Sequence, residues 1–325
     1  MKAVALFSGG LDSVLAVKII QTQGLEVVPV AFLSHFFDTA KAHKYARANS
    51  LDLVTVDISH KHFEILLHPE YGYGKGMNPC IDCHALMIKE AYQLLRKVEA
   101  GFLITGDVLG QRPFSQTREG LSAIDRLSGL GDITLRPLSA KLLKPTRPER
   151  EGIINRETLY GISGRSRKLQ MRLVEKFNVS EFGSPAGGCI LTSKVYSERL
   201  SVAIEQCSFN EDLIPLVGIG RHFYLNESLF IVSRNEKEGK ILGEDSSSLF
   251  ELVDAKGPSG RFFECKGRFK GQRGVPERDD SVLAARILAR YAGDGPAKVK
   301  LPDGKIITVE PLDKFMCDRL LVSSV

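Results

Sequence analysis

The chain predicts an α/β fold: a parallel β-sheet covered by helices, followed by a smaller C-terminal α+β domain. Three observations carry this. Through the first half, short apolar runs alternate with helix-like stretches, as expected of strands buried on both faces and joined by helical crossovers. The first apolar run ends in a Gly-rich turn that opens a helix. Beyond about residue 205 the pattern becomes short strands, tight turns and isolated helices.

The elements follow in order. Ala3 to Phe7 reads as the first strand, and Val14 to Ile20 as an apolar helix closed by Gly24. Val27 to Phe32 is a second strand, Thr39 to Ser50 a helix and Leu51 to Ile58 a third strand. An irregular segment precedes a helix from about Ile81 to Val98. Phe102 to Val108 and Ile133 to Leu138 read as further strands. In the second half, Tyr196 to Gln206 and Ser281 to Tyr291 read as helices, Val217 to Val232 as short strands with Gly and Asn turns, and Phe262 to Cys265 as a strand. Lys298 to Leu301 and Ile306 to Val309, joined by Pro302-Asp303-Gly304, read as a hairpin. The domains expected are 1–205 and 208–325.

The length of 325 residues suffices for two cores. The N-terminal apolar run is short and soon interrupted by Gly-Gly and Asp, unlike a signal peptide. No run of about 18 apolar residues exists to span a membrane. These features lead us to expect a cytoplasmic protein with no membrane partner. The formal net charge is +5, and its distribution is more telling than its size. Residues 136–176 hold eleven basic and four acidic side chains, a net +7.

Ser8-Gly9-Gly10-Leu11-Asp12-Ser13 lies between the first strand and its helix. Adjacent glycines let the backbone approach an anion with no Cβ in the way. The free N–H groups at the helix start suit a phosphate or pyrophosphate. Ser8 and Ser13 add hydroxyl donors, and Asp12 is suited to cap the helix or share a Mg²⁺ with the phosphates. The loop has neither the Lys of a Walker-type P-loop nor the spacing of a dinucleotide-binding turn.

SGGLDS resembles the PP-loop motif of the adenine-nucleotide α-hydrolase-like ATP pyrophosphatases, which include GMP synthetase, argininosuccinate synthetase, the tRNA lysidine synthetase and the tRNA thiouridine synthetases. The resemblance implies cleavage of ATP between its α and β phosphates, with AMP placed on a substrate oxygen. The family's second nucleotide contact is a Gly-Asp after a later strand, which Thr105-Gly106-Asp107 matches. The nucleotide-site candidates are therefore Ser8, Gly9, Gly10, Leu11, Asp12, Ser13, Phe32, Gly106 and Asp107. Gly106 to Pro113, Leu135 to Leu143 and Ser184 to Thr192 resemble the thiouridylase-like members of the group.

Six cysteines occur, at 80, 83, 189, 207, 265 and 317. Cys80 and Cys83 open a helix three residues apart, where the helix dipole favours thiolates. Cys189 follows Gly187-Gly188 and is the third candidate. Three cysteines can hold three irons of a 4Fe-4S cluster, leaving the fourth iron to bind hydrosulfide. A persulfide on one cysteine, resolved by another as a disulfide, is the competing arrangement. Zinc is a further option, with His84 available by sequence. NPC before a helix resembles the bacterial 2-thiouridylase, and Cys-x-x-Cys with a distant third Cys resembles the cluster-dependent thiolases. Cys83 favours the cluster. The catalytic candidates are Cys80, Cys83, Cys189 and Asp12. Isolated Cys207, Cys265 and Cys317 are expected to be buried hydrophobes.

Within the basic segment, Gly161 to Lys168 combines flexible glycines with cations. Arg147, Arg165, Arg167 and Lys168 are the candidate RNA contacts, while Arg112 or Lys141 could serve ATP phosphates. Gly220-Arg221-His222-Phe223 with Ile231 to Asn235 loosely resembles the RNA-binding module of NFACT-type proteins. The resulting expectation is an ATP-dependent tRNA uridine thiolase. It would use ATP, Mg²⁺ and a 4Fe-4S cluster, with tRNA, a sulfide or persulfide donor and a possible accessory RNA-binding protein as partners. Adenylation of a small molecule for sulfur or amide transfer is the alternative, and an RNA-binding adaptor without catalysis a third.

Overall fold

A computed structural model describes residues 1–183, 189–206, 209–225, 228–243, 249–253, 257–264 and 280–322. Cys207, Cys265 and the glycines before Cys189 lie outside these. The chain divides into two compact units, Met1–Ile190 and Leu191–Val325.

In the first unit the order is β1 (Lys2–Leu6), α1 (Leu11–Gln21), β2 (Glu26–Leu33), α2 (Ala40–Ala48), β3 (Val54–Asp57), α3 (Ser59–Leu67) and α4 (Cys80–Lys97). There follow β4 (Ala100–Ile104), α5 (Arg118–Ser128), β5 (Thr134–Leu135), α6 (Arg147–Arg150) and α7 (Lys168–Lys176). The five strands form one parallel sheet in the order β3-β2-β1-β4-β5. Side chains alternate across it. Ala3 and Ala5 face a core shared with α1, whereas Val4, Val30, Phe32 and Leu103 face a core shared with α4 and α5. Helix α1 is buried along most of its length. Helix α4 buries Ile81, Ala85, Leu86, Ile88, Ala91 and Leu95 and turns Gln93, Arg96 and Lys97 outward. The expected α/β architecture is therefore present.

Helices α3, α5, α6 and α7 were not among the sequence expectations. Helix α3 occupies part of the segment read as irregular. It buries only His62, Phe63 and Leu66, a stripe too narrow to stand out. Helix α5 has a Thr117 cap that accepts from Gly120 N, and a left-handed Gly129 at its end.

The second unit holds α8 (Lys194–Gln206), α9 (Ile214–Val217), β6 (Arg221–Leu225), β7 (Ser228–Val232), α10 (Glu236–Gly243), β8 (Leu249–Leu252), β9 (Gly260–Glu264), α11 (Asp280–Ala292), β10 (Ala297–Lys300), β11 (Ile306–Val309) and α12 (Lys314–Leu320). Its antiparallel sheet runs β11-β10-β8-β9-β7-β6. Phe223, Phe230 and Phe250 pack with Leu283, Ile287 and Leu288 of α11. Cys317 is buried in this core. Helix α8 sits with this unit, since Val202 packs against Leu216, Leu229 and Ile231; the division thus falls before α8, not after it. No described helix is long and apolar enough to cross a membrane.

Candidate functional site

Strand β1 leads to β2 on one side of the sheet and has β4 on the other. In an open parallel sheet this reversal leaves a crevice beyond the carboxyl ends of β1 and β4. The Gly-rich loop and the Thr105-Gly106-Asp107 turn both emerge there.

Gly9 adopts φ +74°, and a Cβ on it would stand 2.9 Å from Lys41 O and 3.0 Å from Tyr45 Cδ2. Only glycine meets both conditions. The Ser13 hydroxyl donates to Gly10 O at 2.8 Å, and Gly10 N donates to Ser8 Oγ at 3.4 Å. Val14 N is the first amide bonded back to Gly10 O, at 3.1 Å. The amides of Leu11, Asp12 and Ser13 thus have no intrahelical acceptor and form an anion-seeking first turn.

Gly106 closes the crevice from the β4 side. A Cβ there would stand 2.7 Å from Ser13 N and 2.8 Å from Asp12 C, so the turn rests directly on the first turn of α1. Asp107 is saturated. Thr105 Oγ1 donates to its Oδ2 at 2.7 Å, Gln116 Nε2 donates to its Oδ1 at 2.9 Å, and Arg136 Nε lies 3.6 Å from Oδ2. Burial by itself would raise this carboxyl, but His84, Arg136 and these donors outweigh it and hold the group below its usual range. Asp12 differs. Its Oδ2 accepts from Gln111 Nε2 at 2.6 Å, while its Oδ1 is buried without a hydrogen-bond partner. Desolvation raises this carboxyl against the pull of Gln111 and Arg167. The Phe32 side chain is buried in the α4-side core.

Sequence reasoning missed a third wall. Gly183 N donates to Gly9 O at 2.8 Å, and Gly10 and Gly183 form a parallel bridge. Buried Asn49 fixes this approach: its Nδ2 donates to Tyr45 O at 2.8 Å and to Glu181 O at 2.7 Å. The segment that leads toward Cys189 is thereby tied to the nucleotide-type loop. A lone Asn at a helix end gives no sequence signal of a partner more than a hundred residues away.

Cys80, Cys83 and Cys189 act electrostatically on one another. Cys80 and Cys83 share one face at the start of α4. Burial, then the charge on Cys189, pushes the Cys80 thiol up to about 11 against the hydrogen bond from Asn78 Nδ2 at 2.8 Å. Burial, then Cys80 and Cys189, pushes Cys83 well above its ordinary value. The expectation that the helix terminus would favour thiolates is corrected here, because burial and mutual repulsion exceed the terminal dipole. Among the described residues no group of three His, Cys, Asp or Glu side chains stands in metal-holding geometry. His84 does not simply face solvent: its Nδ1 lies 3.8 Å from Asp107 Oδ1. The thiol helix and the β4 turn therefore meet.

The basic segment is not one surface. Arg136 is buried, with Nη2 2.7 Å from Asp125 Oδ1. Arg150 pairs with Asp132 at 2.8 Å, Lys141 lies 3.6 Å from Glu157, and Arg156 pairs with Glu149. Arg147 lines a cavity of about 550 Å³ with Ala100 and Gly101, at the amino end of β4. Arg167 lies near Asp12 at the carboxyl end of the sheet. The four candidate RNA contacts thus occupy two ends, separated by about 15 Å of strand. Arg165 and Lys168 are exposed and Arg167 is half-buried. In the second unit, His222 and Phe223 are buried and Arg221 lies over the Tyr291 ring at 4.5 Å. His222 and Phe223 therefore build the fold, while Arg234 and Asn235 of the same resemblance are exposed.

Residues 1–141 match the family model for the thiamine biosynthesis protein ThiI. A probable tRNA sulfurtransferase from Thermococcus kodakarensis is 30% identical over 136 residues, covering 40% of this chain and 35% of the relative. One from Methanosarcina acetivorans is 30% identical over 179 residues, covering 45% and 42%. The chain thus spans less than half the length of these relatives. A crystal structure of a 4-thiouridine synthetase in complex with RNA and bound ATP is similar at 21% identity and TM-score 0.36, covering 55% of this chain and 51% of that one. The PP-loop, thiouridine-synthetase-like resemblance of the N-terminal part is borne out by the family and sequence matches.

Proposed function

We propose that this chain uses ATP to activate a uridine of transfer RNA and exchanges the activated oxygen for sulfur. The reading is supported by the Gly-rich loop at the crevice, by Gly183 on Gly9 and His84 beside Asp107, and by the mutual influence of Cys80, Cys83 and Cys189. The loop amides, with Ser8 and Ser13, hold the phosphates of ATP. The unpartnered Asp12 Oδ1 suits a Mg²⁺ that accompanies those phosphates. The uridine carbonyl oxygen attacks the α-phosphorus, and pyrophosphate leaves. Sulfide then adds to the same ring carbon, the C–O bond breaks, and AMP departs with the oxygen. Exclusion of water from the crevice protects the adenylated carbon.

Cys80, Cys83 and Cys189 are the sulfur-handling residues. Three thiols that repel one another as anions, Cys83 buried and Cys80 and Cys189 half-buried, suit a cationic centre, and Cys80, Cys83 and Cys189 would be the residues to hold a 4Fe-4S cluster with one iron free of protein ligands. Such a cluster supplies a place to bind hydrosulfide. RNA meets the exposed Arg165 and Lys168 and the half-buried Arg167 beside the crevice, and an accessory RNA-binding protein or the second unit adds contacts.

Incubation of the full chain with tRNA, ATP, Mg²⁺ and sulfide, followed by nucleoside mass spectrometry, tests the reading. A thiolated uridine, lost in Cys80→Ser, Cys83→Ser and Cys189→Ser proteins, is expected. Pyrophosphate release that ignores tRNA, with no thiolated nucleoside, would instead mark a small-molecule substrate. No release at all would favour an adaptor.

A further inference from the structure

We propose that Gln111, held in place by Gln170, is a positioning residue for the Asp12 carboxylate. The inference rests on the nucleotide part of the reading above and adds two residues from outside the loop.

The chain of contacts is short. Gln111 Nε2 donates to Asp12 Oδ2 at 2.6 Å, and Gln170 Nε2 donates to Gln111 Oε1 at 3.3 Å. A carboxylate only accepts, so the Gln111 amide can face it in one sense, with its NH₂ inward. The opposite flip would set Oε1 against a carboxylate oxygen. Gln170 prevents that flip by occupying Oε1 with a donor.

Both glutamines are anchored. Gln170 is fully buried on α7, which packs on α1. The backbone around Gln111 is clamped on several sides. Gln111 N donates to Val108 O at 3.1 Å, Gly110 N to Gln116 O at 2.6 Å and Gly164 N to Leu109 O at 2.7 Å. Leu109 N donates to Ser139 Oγ at 2.9 Å.

The consequence is a division of labour within one carboxylate. Oδ2 is committed to the protein, and Oδ1 is the acceptor left over for a cation travelling with the nucleotide phosphates. Without Gln111 the side chain of Asp12 turns freely, and the cation must order it at each binding event.

The test uses the full chain and α,β-methylene-ATP, whose α–β bridge resists cleavage, with Mg²⁺ titrated at fixed analogue and binding read by calorimetry. Gln111→Met should raise the half-saturating Mg²⁺ about tenfold, the size expected for loss of one charge-assisted hydrogen bond. Affinity for the Mg²⁺-free analogue should change much less. Gln170→Met should move the Mg²⁺ midpoint the same way by a smaller factor. Gln170 also acts on the Asp12 carboxyl directly, so the double variant should exceed Gln111→Met but fall short of the product of the two single effects. An unchanged midpoint in Gln111→Met, or effects of the two substitutions that multiply, would overturn the proposal. Should Gln111→Met fail to fold, Gln170→Met carries the test, and an unchanged midpoint there overturns it. A parent that binds no analogue sinks the nucleotide reading and this proposal together. A parent that binds it but thiolates no RNA removes only the RNA reading.

Discussion

Gly106→Ala is the sharpest test of how the crevice is built. The added methyl carbon would stand 2.7 Å from Ser13 N and 2.8 Å from both Asp12 C and Ser13 Cα. These are backbone atoms at the start of a buried helix, not the far end of a flexible side chain. Ordinary contact needs about 3.5 Å or more, so the β4 turn must retreat from α1 by several tenths of an ångström. Overpacking of this kind costs about 1–3 kcal/mol. The displacement falls at the loop amides and Asp12, the proposed nucleotide contacts. We therefore expect a thermal midpoint lowered by several degrees and α,β-methylene-ATP affinity reduced about tenfold or more. Gly293→Ala is the control, since nothing lies within 4 Å of its Cβ and its backbone is not left-handed. It should leave both quantities unchanged. A Gly106→Ala protein with parental midpoint and parental affinity would refute the contact between the turn and the loop.

Other consequences follow from the charges. Arg136→Met leaves Asp107 and Asp125 without their buried partner and should cost about 3 kcal/mol in urea unfolding; a loss under about 1 kcal/mol would show that the pair contributes little. Burial holds His62 at about 4, with Phe36 and Phe37 against its ring, and holds His222 at about 3. Both folded values lie below 6.5, so the unfolded chain binds the extra protons as pH falls through that value. Stability is full above pH 6.5 and should drop by about 2 kcal/mol for each histidine by pH 5; urea midpoints that stay constant between pH 7 and 5 would contradict the burial of both rings. Replacing Arg165, Arg167 and Lys168 with Ala should flatten the salt dependence of tRNA binding by about 2 in log–log slope, measured by filter binding. Arg147→Ala, at the other end of the sheet, should change that slope by less than 1; a larger change would place the RNA across both ends.

Much of the fold was open to sequence reading because its signals are local. The Ala3 to Phe7 run, the Gly-Gly turn and the apolar face of α1 lie within twenty residues of one another. The Thr117 cap and Gly129 end of α5 were equally local, but the helix is polar on its outer face and its start contains Gly120. Helix α3 gave only a narrow apolar stripe. The charge count of residues 136–176 misled in part, since a count cannot distinguish a cation facing solvent from Arg136 facing Asp125.

The sequence by itself determined the strand–loop–helix that seeks an anion, the paired cysteines at a helix start and the existence of a second, α+β unit. These depend on backbone preference and on side-chain periodicity, which neighbours along the chain encode. Only the tertiary structure decided that Gly183 closes on Gly9, that Asp107 is saturated while Asp12 keeps one oxygen open, and that burial holds the Cys80 and Cys83 thiols neutral. Each of these depends on desolvation and on donors brought from distant segments, and neither quantity exists until the chain has packed.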